Sequence, residues 1–317
     1  MVYIGVDLGG TNIKAGVTDS EGTMLSQASI PTDYPRSAKS ICDDIAALSC
    51  RVLKEAGFSW EQAAGIGIAS PGTVNPRTGV VMYWSNLDWK NVPVKKYIEE
   101  SLPTSLPIYL ENDANAAAFG EFYAGSAKGA DSVVVITIGT GLGGGAIINS
   151  KILNGHFYGG GEFGHMVIEH GGRLCTCGRR GCFEAYSSAT GLINFTREEL
   201  KRSPESLMHK LVLKSGKVSG KTAFDAMKQG DEAGARVVDW FIDYLACGIA
   251  NIINMLQPEV LSIGGGVCNE GDALLIPLRK KISGEVYGGP NLPNTEVRIC
   301  TLGNNAGIIG AAMMCKK

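Results

Sequence analysis

The sequence predicts an α/β fold built from two similar halves. Short apolar segments typical of strands alternate with longer segments in which apolar residues recur at steps of three and four, as on the buried face of a helix. A strand–glycine loop–strand pattern at residues 3–17 also returns at residues 132–150, about 130 positions later. This repetition predicts a duplicated architecture of two α/β domains with a cleft between them.

The composition is that of a globular protein. Apolar residues make up 44% of the 317 residues and charged residues 19%. A net charge of −2 and a pI near 6.1 argue against a protein that coats nucleic acid or anionic membrane. The start "MVYIGVDLGG" lacks the basic region of a signal peptide, and no apolar run reaches about 18 residues. We therefore expect a cytoplasmic protein that binds neither nucleic acid nor membrane.

The first half begins with strands and continues with a helix. Residues 2–31 predict three consecutive antiparallel strands with tight turns at Gly9–Gly10 and around residues 20–22. Apolar residues then recur at helical spacing from Ile41 to Ala56, and Gly57 supplies a stop. Further along, "AGIGIAS" and "PIYLEN" predict short buried strands, and "DANAAAFGEFYAG" predicts a helix directly after the second.

The second half opens with the repeated strand pair at 132–150. A long helical pattern spans residues 231–256, and "EVLSIGGGV" after it predicts a strand. The closing "NAGIIGAAMMCKK" predicts a helix of small residues.

Three glycine-rich loops each follow a strand pattern. They are "DLGGTNIK" (Asp7–Lys14), "TIGTGLGGG" (Thr137–Gly145) and "IGGGV" (Ile263–Val267). Glycines let backbone N–H groups approach an anion without obstruction by side chains. The first loop has the spacing of neither a Walker A loop nor a dinucleotide fingerprint, and a plain hairpin turn explains it equally well. Together, the three loops favour the phosphate tail of a nucleotide.

Two further segments carry candidate chemistry. In "ENDANAA", Asn112 or Asp113 is suited to cap the next helix, but a carboxylate at the end of a strand is also a candidate base for a hydroxyl. Residues 165–182 hold two of the four histidines, His165 and His170, and three of the nine cysteines, which is compatible with a disulfide, a redox dithiol or a metal site. The other six cysteines lie in apolar segments, where we interpret them as small core residues.

These segments together resemble the ROK family of sugar kinases, repressors and open reading frames. The motifs "DLGGTNIK", "ENDANAAAFGE", "TIGTGLGGG", "GEFGH" and "CTCGRRGCFE" carry the resemblance, which covers nearly the whole chain and is strongest to the ATP-dependent glucokinase branch. It implies an actin-like, ribonuclease H-related ATPase fold. The domains would be residues 1–112 with about 303–317, and residues 113–302. The implied reaction transfers phosphate from Mg-ATP to the 6-hydroxyl of a hexose, most simply glucose.

The resemblance also implies roles for individual residues. Asp113 would be the catalytic base, and Asp7 would help to hold Mg²⁺ through water. The residues implied in sugar binding are Gly72, Asn86, Asn112, Asp113, Glu162, His165 and Glu184. Those implied in nucleotide binding are Asp7, Gly9, Gly10, Thr11, Asn12, Lys14, Thr140, Gly141, Gly143, Gly144, Gly265 and Gly266.

For the cysteine cluster, the resemblance implies a structural Zn²⁺ that organises the sugar-binding loop. His165, Cys175, Cys177 and Cys182 form a complete Cys₃His set, whereas a C-x-x-C spacing is absent and a disulfide leaves His165 unexplained. One ring nitrogen of His165 would bind the metal and the other would face the sugar.

Simpler interpretations remain for several of these residues. Glu162 and Glu184 are also compatible with exposed surface charges, and Gly72 and Asn86 with turn residues. At the level of function, the alternatives are a ROK kinase for fructose, N-acetylmannosamine, N-acetylglucosamine or allose, a sugar-sensing repressor, and an actin-like scaffold. A repressor would carry a helix-turn-helix domain before the first strand, which begins here at residue 2. We expect a homodimer or homotetramer.

Overall fold

The computed structural model describes residues 1–316 and has the α/β character that the sequence predicts. The strands are β1 (Val2–Leu8), β2 (Asn12–Thr18), β3 (Met24–Pro31), β4 (Ala63–Ser70), β5 (Thr73–Asn75), β6 (Val80–Trp84), β7 (Trp89–Val92), β8 (Ile108–Asn112), β9 (Val133–Ile138), β10 (Leu142–Ile148), β11 (Lys151–Ile152), β12 (Val260–Gly264) and β13 (Glu296–Ile299). The α-helices are α1 (Ala38–Glu55), α2 (Val94–Ser101), α3 (Asp113–Ala124), α4 (Glu184–Ser187), α5 (Ala189–Arg202), α6 (Leu207–Ser215), α7 (Thr222–Lys228), α8 (Glu232–Leu256), α9 (Asp272–Glu285) and α10 (Ala306–Met313).

The chain divides into two compact units. The first comprises residues 1–135, 145–161 and the described chain from residue 300 onward, and the second comprises residues 136–144 and 162–299. Helix α3 belongs to the first unit, although the sequence predicted that the second domain begins at residue 113. One physical reason is Glu121 in α3, whose carboxylate accepts the backbone N–H groups of Thr301 and Leu302 at 3.1 and 2.8 Å. The assignment of domains stays a prediction.

The first unit contains a five-stranded sheet in the order β3-β2-β1-β4-β8. Strands β1, β2 and β3 are antiparallel, as predicted, and β1, β4 and β8 are parallel. Side chains alternate between the two faces of a strand, so that Ile4 and Val6 pack into one core with Ile41 and Ile45 of α1.

Helix α10 packs on the opposite face of this sheet at very short range. A Cβ atom on Gly5 would lie 1.9 Å from the Ile308 carbonyl oxygen, and one on Gly67 would lie 1.7 Å from that of Ala311. The glycines of β1 and β4 therefore allow the helix backbone to rest on the sheet. The close packing brings the first turn of α10 beside Asp7, since a Cβ on Gly307 would lie 3.3 Å from the Asp7 Cγ.

A second five-stranded sheet has the order β11-β10-β9-β12-β13, and a small antiparallel sheet has the order β5-β6-β7. The long helix predicted at 231–256 is α8. Helix α8 is long and apolar enough to cross a membrane. However, 61% of its apolar stretch is buried in the molecule, as is typical of the core helix of a soluble protein.

Candidate active site and metal centre

The candidate base lies at the carboxyl edge of the first sheet. In the parallel strands, Asp7 of β1 aligns with Ala69 of β4, and Ala69 aligns with Glu111 of β8. Parallel strands end at the same edge of a sheet, and in α/β proteins ligands bind outside that edge. This register brings Asp7 and the β8–α3 junction, which contains Asp113, to one edge.

Asn112 caps helix α3. Its Oδ1 accepts the backbone N–H groups of Ala114 and Asn115 at 2.9 and 3.2 Å, so the capping interpretation is correct for this residue. Its Nδ2 donates to the Gly72 carbonyl oxygen at 3.0 Å, which brings Gly72 to the same edge of the sheet. Capping by Asn112 leaves the adjacent carboxylate available for another role.

Asp113 is the first residue of α3 and is half-buried. Burial raises the pKa of its carboxyl group above the ordinary value, although the Ala114 N–H, which Oδ1 accepts at 2.9 Å, counteracts this. A raised pKa makes a carboxylate a stronger proton acceptor, provided that it is ionised at the working pH.

Asp7 is a half-buried carboxylate close to Asp113. Burial is the main cause of its raised pKa, the charge of Lys14 opposes the rise, and the charge of Asp113 adds to it. Lys14 lies opposite Asp7 in the β1–β2 register. Two carboxylates that repel each other are a donor set suited to a hard cation such as Mg²⁺. The positive end of α10, which lies beside Asp7, favours the ionised form of that carboxylate.

The first glycine loop is a closed turn with an exposed backbone. The Gly9 N–H donates to the Asn12 carbonyl oxygen at 2.9 Å, and Thr32 donates through Oγ1 to Gly9 O and through N to Thr11 O at 2.7 and 2.9 Å. Gly10, Thr11 and Asn12 are exposed. The hairpin interpretation therefore describes its geometry, and the exposed residues 10–12 remain available to a ligand.

The second glycine loop connects β9 to β10. The Gly139 N–H donates to the Gly141 carbonyl oxygen at 2.9 Å, and Thr190 Oγ1 of α5 donates to the Thr140 carbonyl oxygen at 2.7 Å. Gly139 and Thr140 are exposed, and Gly141 is half-buried. The loop is thus fastened to α5 with its tip facing solvent.

The third glycine loop lies beside the second. Gly265 has φ +104°, and a Cβ there would lie 2.1 Å from the carbonyl oxygen of Ile138 at the end of β9. This close approach requires glycine. Gly266 is exposed next to it, whereas Gly143 and Gly144 lie half-buried within β10. The structure therefore brings the two loops of the second unit together, as a shared phosphate site requires.

Four potential metal ligands converge in the second unit. One ligand atom from each of His165, Cys175, Cys177 and Cys182 lies within 4.8 Å of the others. The Cys177–Cys182 sulfur distance and the distance from Cys175 Sγ to His165 Nδ1 are both 3.7 Å. A disulfide needs about 2.05 Å, whereas sulfurs at about 2.3 Å from a tetrahedral Zn²⁺ are about 3.8 Å apart. The geometry fits a metal site, and all the cysteines are free thiols.

The two glutamates that flank this cluster differ in environment. Glu162 is exposed at the start of the short 3₁₀ helix Phe163–His165, so the surface-charge interpretation remains compatible with it. Glu184 is half-buried, and that interpretation is wrong for it. Its Oε1 accepts the Thr176 hydroxyl at 3.0 Å, and its Oε2 accepts the Leu142 N–H at 2.9 Å. Glu184 thus joins the loop that carries Cys175 and Cys177 to the second glycine loop.

The turn interpretation accounts for the local structure of Gly72 and Asn86. Gly72 has φ +85°, and a Cβ there would lie 2.2 Å from the Tyr83 carbonyl oxygen. Asn86 is exposed in the short 3₁₀ turn Ser85–Leu87. A role of either residue in sugar binding stays a prediction.

Sequence reasoning missed a buried polar network at the base of α3. Glu111 is 5% exposed and is hydrogen-bonded to the side chains of Asn115 and Asn154. Glu111 and Asn115 stand within the "ENDAN" run, where an acidic residue inside an apolar strand pattern was a usable signal. Asn154 gives no such signal, because it lies 39 residues further along the chain than Asn115.

Comparison with known proteins relates the whole chain to one family. The ROK family matches residues 3–317. Curated relatives named glucokinase include one from Halalkalibacterium halodurans, 38% identical over 99% of this chain and 95% of its own length, and one from Streptomyces coelicolor, 37% identical over 99% and 97%. The crystal structure of a ROK family glucokinase from Streptomyces griseus, in complex with glucose and AMPPNP, superimposes with a TM-score of 0.79 at 35% identity, and the match covers 100% of this chain and 99% of that one. These similarities confirm the predicted actin-like ATPase fold.

Proposed function

The chain belongs to the ROK family, and from that premise we propose that it is an ATP:glucose 6-phosphotransferase. The observation that carries the proposal is the pairing of Asp113 with Asp7 at the carboxyl edge of a sheet, in a chain that matches glucokinases over its full length. The solved relative that binds glucose and AMPPNP supports both substrates.

Asp113 is the base of the reaction. Its carboxylate accepts the proton of the 6-hydroxyl as that oxygen attacks the γ-phosphorus and the bond to the β-phosphate oxygen breaks. Catalysis of phosphoryl transfer requires mainly that the reacting groups are positioned and that the charge on the phosphate is stabilised. A site with one base and several backbone N–H donors meets both requirements. Asn112 fixes the start of α3 by capping it, and thereby fixes the backbone that carries Asp113.

Asp7 would hold Mg²⁺ through water, and the cation supplies neutralisation of charge on the phosphates. The nucleotide residues named above lie in the three glycine loops and in the strands that flank them. In the first unit, Gly10 and Thr11 present exposed backbone and a hydroxyl group. In the second unit, Thr140 and the pair Gly265–Gly266 do the same. Backbone N–H groups at such turns are suited to phosphate oxygens.

Sugar selectivity belongs to Glu162, His165 and Glu184 of the second unit. An ionised carboxylate has about four acceptor sites, so Glu184 can keep its bonds to Thr176 and Leu142 and still accept a sugar hydroxyl. We propose that the metal is Zn²⁺, held by His165 and the three cysteines, and that it supplies rigidity to this loop. The His165 nitrogen beside Cys175 is Nδ1, which leaves Nε2 for the sugar.

Localisation in the cytoplasm, a dimeric or tetrameric assembly, and the lack of nucleic acid and membrane partners are further parts of this proposal. The acidic pI and the buried position of α8 support the lack of nucleic acid and membrane partners.

The test is a coupled assay of ADP release over a panel of hexoses. We expect the highest kcat/KM with glucose, ahead of fructose, allose, N-acetylglucosamine and N-acetylmannosamine. A value at least about tenfold higher for another of these sugars contradicts the glucose assignment, because tenfold corresponds to the loss of about one sugar contact. No hexose-dependent release of ADP contradicts the kinase assignment itself.

A further inference from the structure

Glu111 is a buried carboxylate that has no direct part in the reaction proposed above. It stands at the end of β8, directly before Asn112 and Asp113, and is 5% exposed. Its Oε1 accepts the Asn112 backbone N–H at 2.9 Å and the Asn115 side-chain amide at 3.1 Å. Its Oε2 accepts the Asn154 side-chain amide at 2.8 Å. Burying a charged group lowers the stability of the folded protein unless hydrogen-bond donors such as these satisfy it. The position of Glu111 directly before Asn112 and Asp113 therefore suggests a role.

The three side chains form a closed ring. Asn115 also donates to the Asn154 Oδ1 at 3.0 Å, so that Glu111, Asn115 and Asn154 are each bonded to the other two. An ionised carboxylate has about four acceptor sites, enough for all three N–H groups, whereas a protonated carboxyl group would add an O–H donor to a ring that already supplies donors. Burial raises the pKa of Glu111, and the N–H groups of Asn112, Asn154 and Asn115 counteract this rise.

The ring fixes the backbone on both sides of Asp113. The Asn112 N–H lies before it, Asn115 lies in the first turn of α3 after it, and Asn154 belongs to the separate segment that follows β11. A displacement of about 1 Å in a reacting group can lower a rate by about 100-fold. Rigid support of a base is therefore a function in its own right.

We propose that Glu111, together with Asn115 and Asn154, is a positioning residue that holds Asp113 in the orientation needed to accept the substrate proton. The proposal rests on the proposed function, since it needs Asp113 to be the base.

Glu111→Gln tests the ring with little change of shape. Glutamine has only one acceptor oxygen. If that oxygen accepts the N–H groups of Asn112 and Asn115, the glutamine NH₂ group takes the place of Oε2 and faces an amide N–H of Asn154. Rotating the Asn154 amide removes that conflict but turns its NH₂ group toward that of Asn115. One buried donor stays without an acceptor in either arrangement, and the junction must shift to relieve it.

The double variant Glu111→Gln with Asn154→Asp restores the ring. The glutamine NH₂ group then donates to one oxygen of the new carboxylate, Asn115 donates to the other, and the net charge equals that of the wild type. We expect kcat of Glu111→Gln to fall by about 10- to 100-fold, with KM for ATP within about threefold, and the double variant to recover at least about half of that loss on a logarithmic scale. Rescue by exchanging the donor and acceptor is a result that general destabilisation does not produce.

Glu121→Gln is the matched control. Glu121 lies in α3, the helix that begins with Asp113, and is 1% exposed. It accepts the backbone N–H groups of Ser126, Thr301 and Leu302 at the far end of α3. We expect it to lower Tm as Glu111→Gln does, but to leave kcat within about threefold of wild type. If Glu111→Gln does not fold, Asn154→Ala replaces it, because it removes one donor to Glu111 and should lower kcat by about tenfold.

The outcomes separate this inference from the proposed function. A folded Glu111→Gln or Asn154→Ala variant with kcat within about threefold of wild type overturns the positioning role, and so does a double variant no faster than Glu111→Gln. A wild-type protein that phosphorylates no hexose overturns the proposed function instead.

Discussion

Replacing Asp113 with Asn isolates the chemical role of this side chain from its structural role. Asn112, not Asp113, caps α3, so the helix start is retained. The asparagine oxygen can still accept the Ala114 N–H that Asp113 Oδ1 accepts at 2.9 Å. What is lost is the negative charge and the capacity to take a proton.

The expected magnitude follows from these contacts. A lost general base lowers kcat by about 10²- to 10⁴-fold, and the lower end corresponds to about 2.7 kcal/mol in the barrier. Stability should not fall, because the pKa of Asp113 is raised. A carboxyl group with a raised pKa binds its proton more tightly in the folded state, so its contribution to stability decreases as pH rises through the unfolded pKa towards the folded pKa. At neutral pH, removing the charge also ends the repulsion of Asp7.

The assay measures kcat and glucose affinity of Asp113→Asn beside its Tm. We expect kcat to fall by at least about 100-fold, with glucose affinity little changed and Tm equal to or above that of wild type. Turnover within about threefold of wild type in a folded variant refutes the role of Asp113 as the base. A large fall in Tm refutes the structural part of the reasoning.

Three other perturbations test separate parts of the molecule. Purified protein should contain about one zinc per chain. The Cys177→Ser variant should have a lower zinc content and a lower glucose affinity, whereas Cys50→Ser, at a cysteine outside the cluster, should change neither. A metal-free preparation with full activity contradicts the zinc site. The value of kcat/KM for glucose should fall at acid pH with a midpoint above the pKa of ordinary aspartate, because Asp113 must be ionised and burial raises its pKa. A value of kcat/KM that stays constant down to about pH 4 contradicts the raised pKa of Asp113. Gly67→Ala should lower the free energy of unfolding by roughly 1–3 kcal/mol, since its Cβ would lie 1.7 Å from a backbone oxygen of α10; an unchanged denaturant midpoint contradicts the close packing.

Local patterns predicted the main elements of the fold because those elements have strong periodicity. The three strands of residues 2–31, helix α1, strand β8 followed by α3, and helix α8 all occur where the sequence indicated. The small sheet β5-β6-β7 escaped prediction. Its strands are three to five residues long, and its alternation is interrupted by exposed Met82 and Tyr83.

The candidate site was predictable only where its residues stand close together in the sequence. The four potential metal ligands lie within a span of eighteen positions, and their convergence agrees with their spacing. The partners of Glu184 were not predictable, because Leu142 precedes it by 42 positions and donates through its backbone, which leaves no trace in residue type. The contact of Asn154 with Asn115 was not predictable either, because the two residues are 39 positions apart in the sequence. The function of Glu184 as a connector therefore depends on tertiary structure.

The central claim is that this chain transfers the γ-phosphoryl group of ATP to the 6-hydroxyl of glucose, and ³¹P and ¹H NMR of the reaction mixture test it most directly. Purified protein incubated with Mg-ATP and glucose should produce glucose 6-phosphate and ADP in equal amounts, with no release of inorganic phosphate above the sugar-free control. Phosphate on any other carbon, or ADP formed with inorganic phosphate and no phosphorylated sugar, would contradict the account.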